Sequence, residues 1–251
     1  MNGIDLSLEN YGNIKKNQYT YAVLPWGSTE PHNYHLPYLT DCYFSYAIAK
    51  DAVEKALLQY GIRGMILPFV PMGSQNPGQR DLPFCIHVRY ETQKSILTDI
   101  AASLNNQGIK TLIILNGHGG NHFKNMIRDL TVDFPQMLIA ACDVFNVEPR
   151  AEYFENEDDH AGEMETSVIM HYYPELVDLA TAGKGISKPF SAKSLNEKTG
   201  WIPRNWLKVS EDTGIGNPEK ASVDKGKRYA EAISGKVSGL FNDLVGRKFY
   251  E

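Results

Sequence analysis

Four short apolar runs, Tyr19–Leu24, Met65–Val70, Thr111–Leu115 and Met137–Cys142, are each closed by Pro, Asn or Asp, and helical patterns fill the spaces between them. The helical stretches Cys42–Gln59, Tyr90–Asn106 and His122–Asp133 stop just before Gly61, Gly108 and Pro135, residues that end helices. A run of uninterrupted apolar residues without alternation is what a strand buried on both faces requires. The series therefore predicts βαβ units, a mostly parallel sheet and helices on both of its faces. With 251 residues, 42% hydrophobic and 22% charged, the chain can bury the core of one large α/β domain spanning 1–251. From Gly183 to Gly216 the periodicity breaks into Pro, Gly, Ser, Lys, Trp201 and Trp206, which predicts a long functional loop or insertion. Asn217-Pro218-Glu219 carries the signature of a helix start, and a last helix is expected from there to about Leu244.

A formal net charge of −5 with only short scattered basic pairs, such as Lys15-Lys16, excludes a nucleic-acid footprint. Cys42, Cys85 and Cys142 are far apart and odd in number, so they are expected as reduced core or near-core thiols rather than a disulfide framework or thiolate metal site. No apolar stretch is long enough to span a bilayer, and Met1-Asn-Gly-Ile-Asp has neither a basic nor an apolar leader region. A cytoplasmic protein without nucleic-acid or membrane partners is the expectation.

Glu30, His32 and Asp41 lie among Gly, Pro, Asn and Tyr, on a loop after the first predicted strand. His118 sits in Asn116-Gly-His-Gly-Gly-Asn121, directly after the third. Ligands of open α/β sheets bind at the carboxyl ends of strands, so both loops are expected to open onto one crevice. A pooled Glu, His, Asp, His set is a mixed oxygen and nitrogen cage suited to zinc, manganese or iron(II). A further helix is expected within Asp158–Pro174, started by capping aspartates and stopped by proline. On it Glu165 shares a stripe with Ala161, Val168, Ile169 and Tyr172, whereas Glu163 falls with Thr166, Ser167 and Met170. A carboxylate facing apolar neighbours is costly unless paired, protonated or metal-bound, so Glu165 is the better ligand candidate. His160, at the positive end of this helix, is expected to stay neutral and able to accept a proton.

Taken in order, Gly27-Ser-Thr-Glu-x-His, His35-Leu-Pro, Thr40-Asp41, Asn116-Gly-His-Gly-Gly-Asn121, His160-Ala-Gly-x-x-Glu-Thr-Ser167 and Gly214-x-Gly-Asn-Pro218 with Lys225-Gly226 resemble the creatininase (creatinine amidohydrolase) family. The resemblance covers about Tyr21 to Gly226. It implies a three-layer α/β/α fold, a dinuclear metal centre, hydrolysis of a non-peptide C–N bond such as that of a cyclic amide or formamide, and a homo-oligomer, usually a hexamer. By position, Glu30 and His118 would hold one metal and His32 the other, Asp41 would bridge them, and His160 would be the catalytic histidine. The chain departs from creatininase itself where that enzyme's motif Asn-Gly-His-Tyr-Glu-Asn has a ligand glutamate, because Gly120 stands there. Glu165 is the replacement expected from its helix face. Creatininase also covers creatinine with tryptophans ahead of the catalytic histidine, and Cys142–Asp158 contains none, which disfavours creatinine as substrate.

The implied chemistry is attack by a water bridging two metals about 3.5 to 4 Å apart. His160 would carry the proton to the leaving nitrogen, with Asp159 or Glu163 orienting it. Asn121 and the N–H groups of Gly119 and Gly120 would hold the turn or steady the oxyanion. His35 and His122 are expected as supporting polar residues, His87 and His171 as structural ones, and Trp201 and Trp206 either at a substrate mouth or packed against a neighbour. The competing reading is a non-catalytic binding protein on the same fold. A dinuclear phosphoesterase would call for arginines near the site, and the motif loops carry none.

Overall fold

A computed structural model describes residues 3–247 and 249–250. Its sheet holds β1 (Tyr21–Trp26), β2 (Gly64–Ile66), β3 (Thr111–Asn116) and β4 (Leu138–Asp143) in the order β2-β1-β3-β4, every pair parallel. Five long helices surround it: α1 (Thr40–Tyr60), α2 (Tyr90–Asn106), α3 (Phe123–Asp133), α4 (Glu163–Tyr172) and α5 (Val223–Gly246). Successive strand residues point to opposite faces, and here both faces are covered. Tyr21, Val23, Ile113 and Leu115 pack into one core with α1, α4 and α5, through residues such as Phe44, Val168 and Tyr229. Ala22, Leu24, Leu112 and Ile114 pack into a second core with α2 and α3, through Leu97, Met126 and Leu130. The result is the expected three-layer α/β/α sandwich.

The chain runs from β1 outward to β2, then crosses to β3 on the other side of β1, so the connection reverses direction between β1 and β3. The loops leaving neighbouring strands part there and open a crevice at their carboxyl ends. Both loops expected to carry ligands leave from these two strands.

Three boundaries differ from the sequence reading, each for a local reason. The second strand is three residues long rather than the run Met65–Val70, because Pro68 has no N–H to give the ladder; only Val70 rejoins, as a single bridge to Trp26. Helix α4 begins at Glu163, not at the aspartates: Asp158 accepts the Met164 N–H at 2.8 Å from upstream, while His160 runs extended and pairs with Ile215. Helix α5 begins at Val223, where the Ser222 hydroxyl accepts the Lys225 N–H at 3.3 Å. The expected cap at Asn217 is a local turn instead, its side-chain oxygen taking the Glu219 N–H at 3.0 Å.

Helices α4 and α5 cross at Gly226, where an added Cβ would lie 1.9 Å from the Ser167 carbonyl oxygen. Gly226→Ala should therefore force the helices apart and lose about 1 to 3 kcal/mol in urea unfolding. Gly235→Ala, on the same helix with nothing within 4 Å of the new Cβ, should be neutral or stabilising. Equal effects of the two would show that the crossing is not close-packed at Gly226.

Candidate metal centre

Glu30, His32, Asp41, His118 and Glu165 come from the loop after β1, the first turn of α1, the loop after β3 and the first turn of α4, and all five are buried. Their donor atoms form two triads, Glu30 with Asp41 and His118, and His32 with Asp41 and Glu165, each set lying within 4.8 Å. Asp41 belongs to both. Its Oδ1 lies 3.1 Å from His32 Nε2 and its Oδ2 lies 3.1 Å from His118 Nδ1, on opposite sides of one carboxylate. Asp41 Oδ2 is buried and makes no hydrogen bond, the condition of an oxygen waiting for a cation.

Each imidazole is turned by a backbone carbonyl so that its other nitrogen faces the carboxylates. His118 Nε2 lies 2.8 Å from the Ser74 carbonyl, leaving Nδ1 to point at Glu30 Oε1, 3.0 Å away, and at Asp41. His32 Nδ1 lies 3.1 Å from the Glu30 carbonyl, leaving Nε2 toward Asp41. A carbonyl accepts only from N–H, so the inward nitrogens are the unprotonated, ligating ones in the neutral rings. Glu30 is fixed in turn by Gln79, whose side-chain N–H donates to Oε2 at 2.6 Å and leaves Oε1 toward His118. Glu165 Oε2 accepts the Ala161 N–H at 2.5 Å, and Ala161 takes a left-handed φ of 52° to deliver it.

Three buried carboxylates facing neutral imidazoles are not electrically tolerable without a positive partner. Burial, with the Asp41 carboxylate adding to it, pushes Glu165 up to about 7 against the opposing pull of His32. Burial disfavours charge on His32, yet the Asp41 carboxylate, with Glu165 and Glu30 adding to it, outweighs burial and lifts that imidazole to about 9. Glu30, reinforced by Asp41, lifts His118 well above its usual value against the same burial. The cluster thus draws protons when no other cation is there. Divalent ions meet the same demand with ligands of the right type, oxygen and imidazole nitrogen without thiolate. The donor set fits two such ions.

A model of the creatininase family, described as creatinine amidohydrolase, matches residues 5–241. The chain belongs to the creatininase family. It is accordingly a metal-dependent amidohydrolase. A crystal structure of a Bacteroides fragilis protein, provisionally named creatinine amidohydrolase, is 55% identical with a TM-score of 0.98 and complete coverage of both chains. The mycofactocin precursor peptide peptidase of Mycolicibacterium smegmatis is 26% identical over 220 residues, 85% of this chain and 81% of that protein. A creatininase structure with Mn shares the fold at a TM-score of 0.76 and 18% identity, over 96% of this chain and 98% of that one.

In this creatininase-family protein the absence of a glutamate at position 120 has a steric cause. A Cβ on Gly120 would sit 2.1 Å from the Ser74 carbonyl oxygen and 2.5 Å from His118 Nε2, the two atoms whose contact orients the ligand ring. Glu165, on α4, brings a carboxylate beside His32 and Asp41 instead. Glu163, by contrast, is fully buried too, so burial does not separate the two glutamates; charge pairing does. It meets Lys225 Nζ at 2.5 Å and accepts the Glu155 and Asn156 N–H groups at 3.1 and 2.9 Å, away from His160. It does not orient His160. Neither does Asp159, which pairs with Arg204 at 2.6 Å. The group that holds His160 is the Pro31 carbonyl, 3.0 Å from Nε2.

Asn121 ties the loops together. Its two side-chain N–H groups donate to the Gly27 carbonyl and Asn116 Oδ1, and its oxygen accepts from Ser74 N and Gln93 Nε2. No donor of Asn121 is left for an oxyanion. Gly119 and Gly120 line the cavity beside His118. His35 bonds Thr166 Oγ1 at 2.8 Å next to Glu165, and His87 accepts the Gln75 N–H at 2.9 Å, so both brace the site, while His122 lines its cavity. Cys42 is a fully buried thiol whose pKa burial raises, a core residue as expected. The sequence reading missed Ser74, Gln79 and Arg204, because they lie in segments without a motif and act through contacts with residues distant in the chain.

Replacing a ligand and a structural glutamate on the same helix should separate their roles. Glu165→Gln should lose bound metal in plasma emission analysis, whereas Glu163→Gln should keep it and instead lose about 1 to 3 kcal/mol of stability, by weakening the buried bond to Lys225. Equal metal retention would contradict the assignment of Glu165.

Proposed function

We propose that the protein hydrolyses the C–N bond of a small amide, a cyclic amide or formamide, at a two-metal centre, with Glu30, Asp41 and His118 holding one ion and His32, Asp41 and Glu165 the other. The observation that carries this reading is the pair of donor triads sharing Asp41 beside a neutral imidazole. Zinc, manganese or iron(II) would suit the donors. When bound, the ions supply Lewis-acid polarisation of the amide carbonyl and acidify water at neutral pH.

The chain's own residues do the rest. His160 is buried, and its pKa is lowered first by that burial and then by the neighbouring His32 ring, 4.1 Å away between centroids. With Nε2–H donated to Pro31, Nδ1 carries the lone pair and faces Glu30 Oε1 at 3.8 Å. His160 Nδ1 takes the proton from the attacking water and returns it to the leaving nitrogen, which is a poor leaving group until protonated. The Gly119 and Gly120 N–H groups are the donors offered to the developing oxyanion. Trp206, 3% exposed, meets the His160 ring edge-on at 5.3 Å and shields it from water. The cavity of about 350 Å³ suits a small substrate.

Its two tryptophans, Trp201 and Trp206, come from the 183–216 insertion, so an aromatic wall is present although Cys142–Asp158 lacks one. Creatinine is not the favoured substrate, since its covering residues in creatininase come from the earlier segment. The name of the M. smegmatis relative keeps a peptide-like amide among the substrates to screen. We further propose a homo-hexamer and a cytoplasmic location, the former checked by light scattering; no described helix is long and apolar enough to cross a membrane.

His160→Ala should retain both ions and reduce turnover of a screened formamide or cyclic amide by about 10²- to 10⁴-fold. Turnover near that of the unaltered protein would remove His160 from the proton path, and loss of metal would make it a ligand.

A further inference from the structure

The insertion places one permanently charged cation in the cavity. Among the described residues lining it, Arg204 is the only lysine or arginine, and it shares that wall with Glu30 and His118 of the metal centre. Its guanidinium lies over the Trp206 ring, 5.0 Å from the ring to the central carbon, and the same indole meets His160 edge-on at 5.3 Å. Both the guanidinium and the group proposed to handle the proton are therefore in contact with one aromatic ring. Among the described residues, its one ion pair runs from Nη1 to Asp159 Oδ2 at 2.6 Å. Arg204 and Asp159 are 36% and 54% exposed, and ion pairs this exposed hold their partners weakly.

We propose that Arg204 recognises a carboxylate on the substrate, so that the enzyme acts on amides bearing an acid group near the bond to be cut. The inference rests on the amide-hydrolase reading of this cavity and narrows its substrate. A guanidinium presents a planar fork that matches a carboxylate with two parallel hydrogen bonds, and stacking on Trp206 fixes the plane of the fork before substrate arrives. Asp159 occupies one prong in the resting state and competes with the incoming anion. Neutral amides gain nothing from this arrangement. The other acidic and imidazole groups on the wall, Glu30, His118, His122 and His160, offer no planar pair of parallel donors to a second anion.

The carboxylate can be that of a small N-acyl acid or the end of a peptide, and paired probes separate the two. Binding to the metal-loaded protein is measured by calorimetry for N-formylglycine against N-formylglycinamide, and for N-acetylglycylglycine against its carboxamide. The acid of at least one pair should bind about 10-fold or more tightly than its amide. Arg204→Gln should abolish that preference while leaving metal content and the weaker binding of the neutral amide as they were. Asp159→Asn should strengthen binding of the acid, an effect that a merely structural ion pair would not give. Equal or absent binding of both members in both pairs, or a preference that survives Arg204→Gln, overturns the assignment. Metal content, read separately, shows whether the metal-centre reading itself has failed.

Discussion

The site is built around one carboxylate, Asp41, whose two oxygens face separate groups of potential metal ligands. Asp41 is buried, has imidazoles at 3.1 Å on either side, and keeps Oδ2 without a hydrogen bond. Burying Glu30, Asp41 and Glu165 together is affordable only if positive charge is delivered among them. The fold makes that delivery possible by bringing four segments to one point. The loop after β1 carries Glu30 and His32, the first turn of α1 carries Asp41, the loop after β3 carries His118, and α4, braced by the Glu163–Lys225 pair, carries Glu165.

The supporting contacts are mostly backbone carbonyls. Ser74, Glu30 and Pro31 each take one imidazole N–H, and so decide which nitrogen of His118, His32 and His160 is left to work. Such contacts set tautomer and aim without adding charge to a site that already has too much of it. The same economy explains Gly120. The Ser74 carbonyl that orients His118 occupies the space a side chain would need there, and the carboxylate of Glu165 approaches the site from α4.

How much of this was legible beforehand follows from which signals are local. The parallel sheet and its three layers were readable because strands buried on both faces must be uniformly apolar, and β1 and β3 are. The candidate ligands stood out because Glu30, His32 and His118 sit in loops where no packing role competes, and Asp41 opens α1 directly after one of them. Glu165 was reachable from its helical stripe, but the same stripe wrongly left Glu163 on a less buried side; α4 is enclosed on all sides near its start, and only the distant Lys225 distinguishes the two residues. Nothing local marked Gln79, Ser74 or Arg204. Their roles come from contacts across 49, 44 and 45 residues of chain, between segments that carry no periodicity.

The central claim is that one aspartate is shared by two metal ions, and anomalous diffraction from crystals soaked in manganese or zinc tests it most directly. Two peaks should appear on opposite sides of the Asp41 carboxylate, one bounded by Glu30 and His118 and the other by His32 and Glu165. A single peak, or ions held without Asp41, would contradict the account.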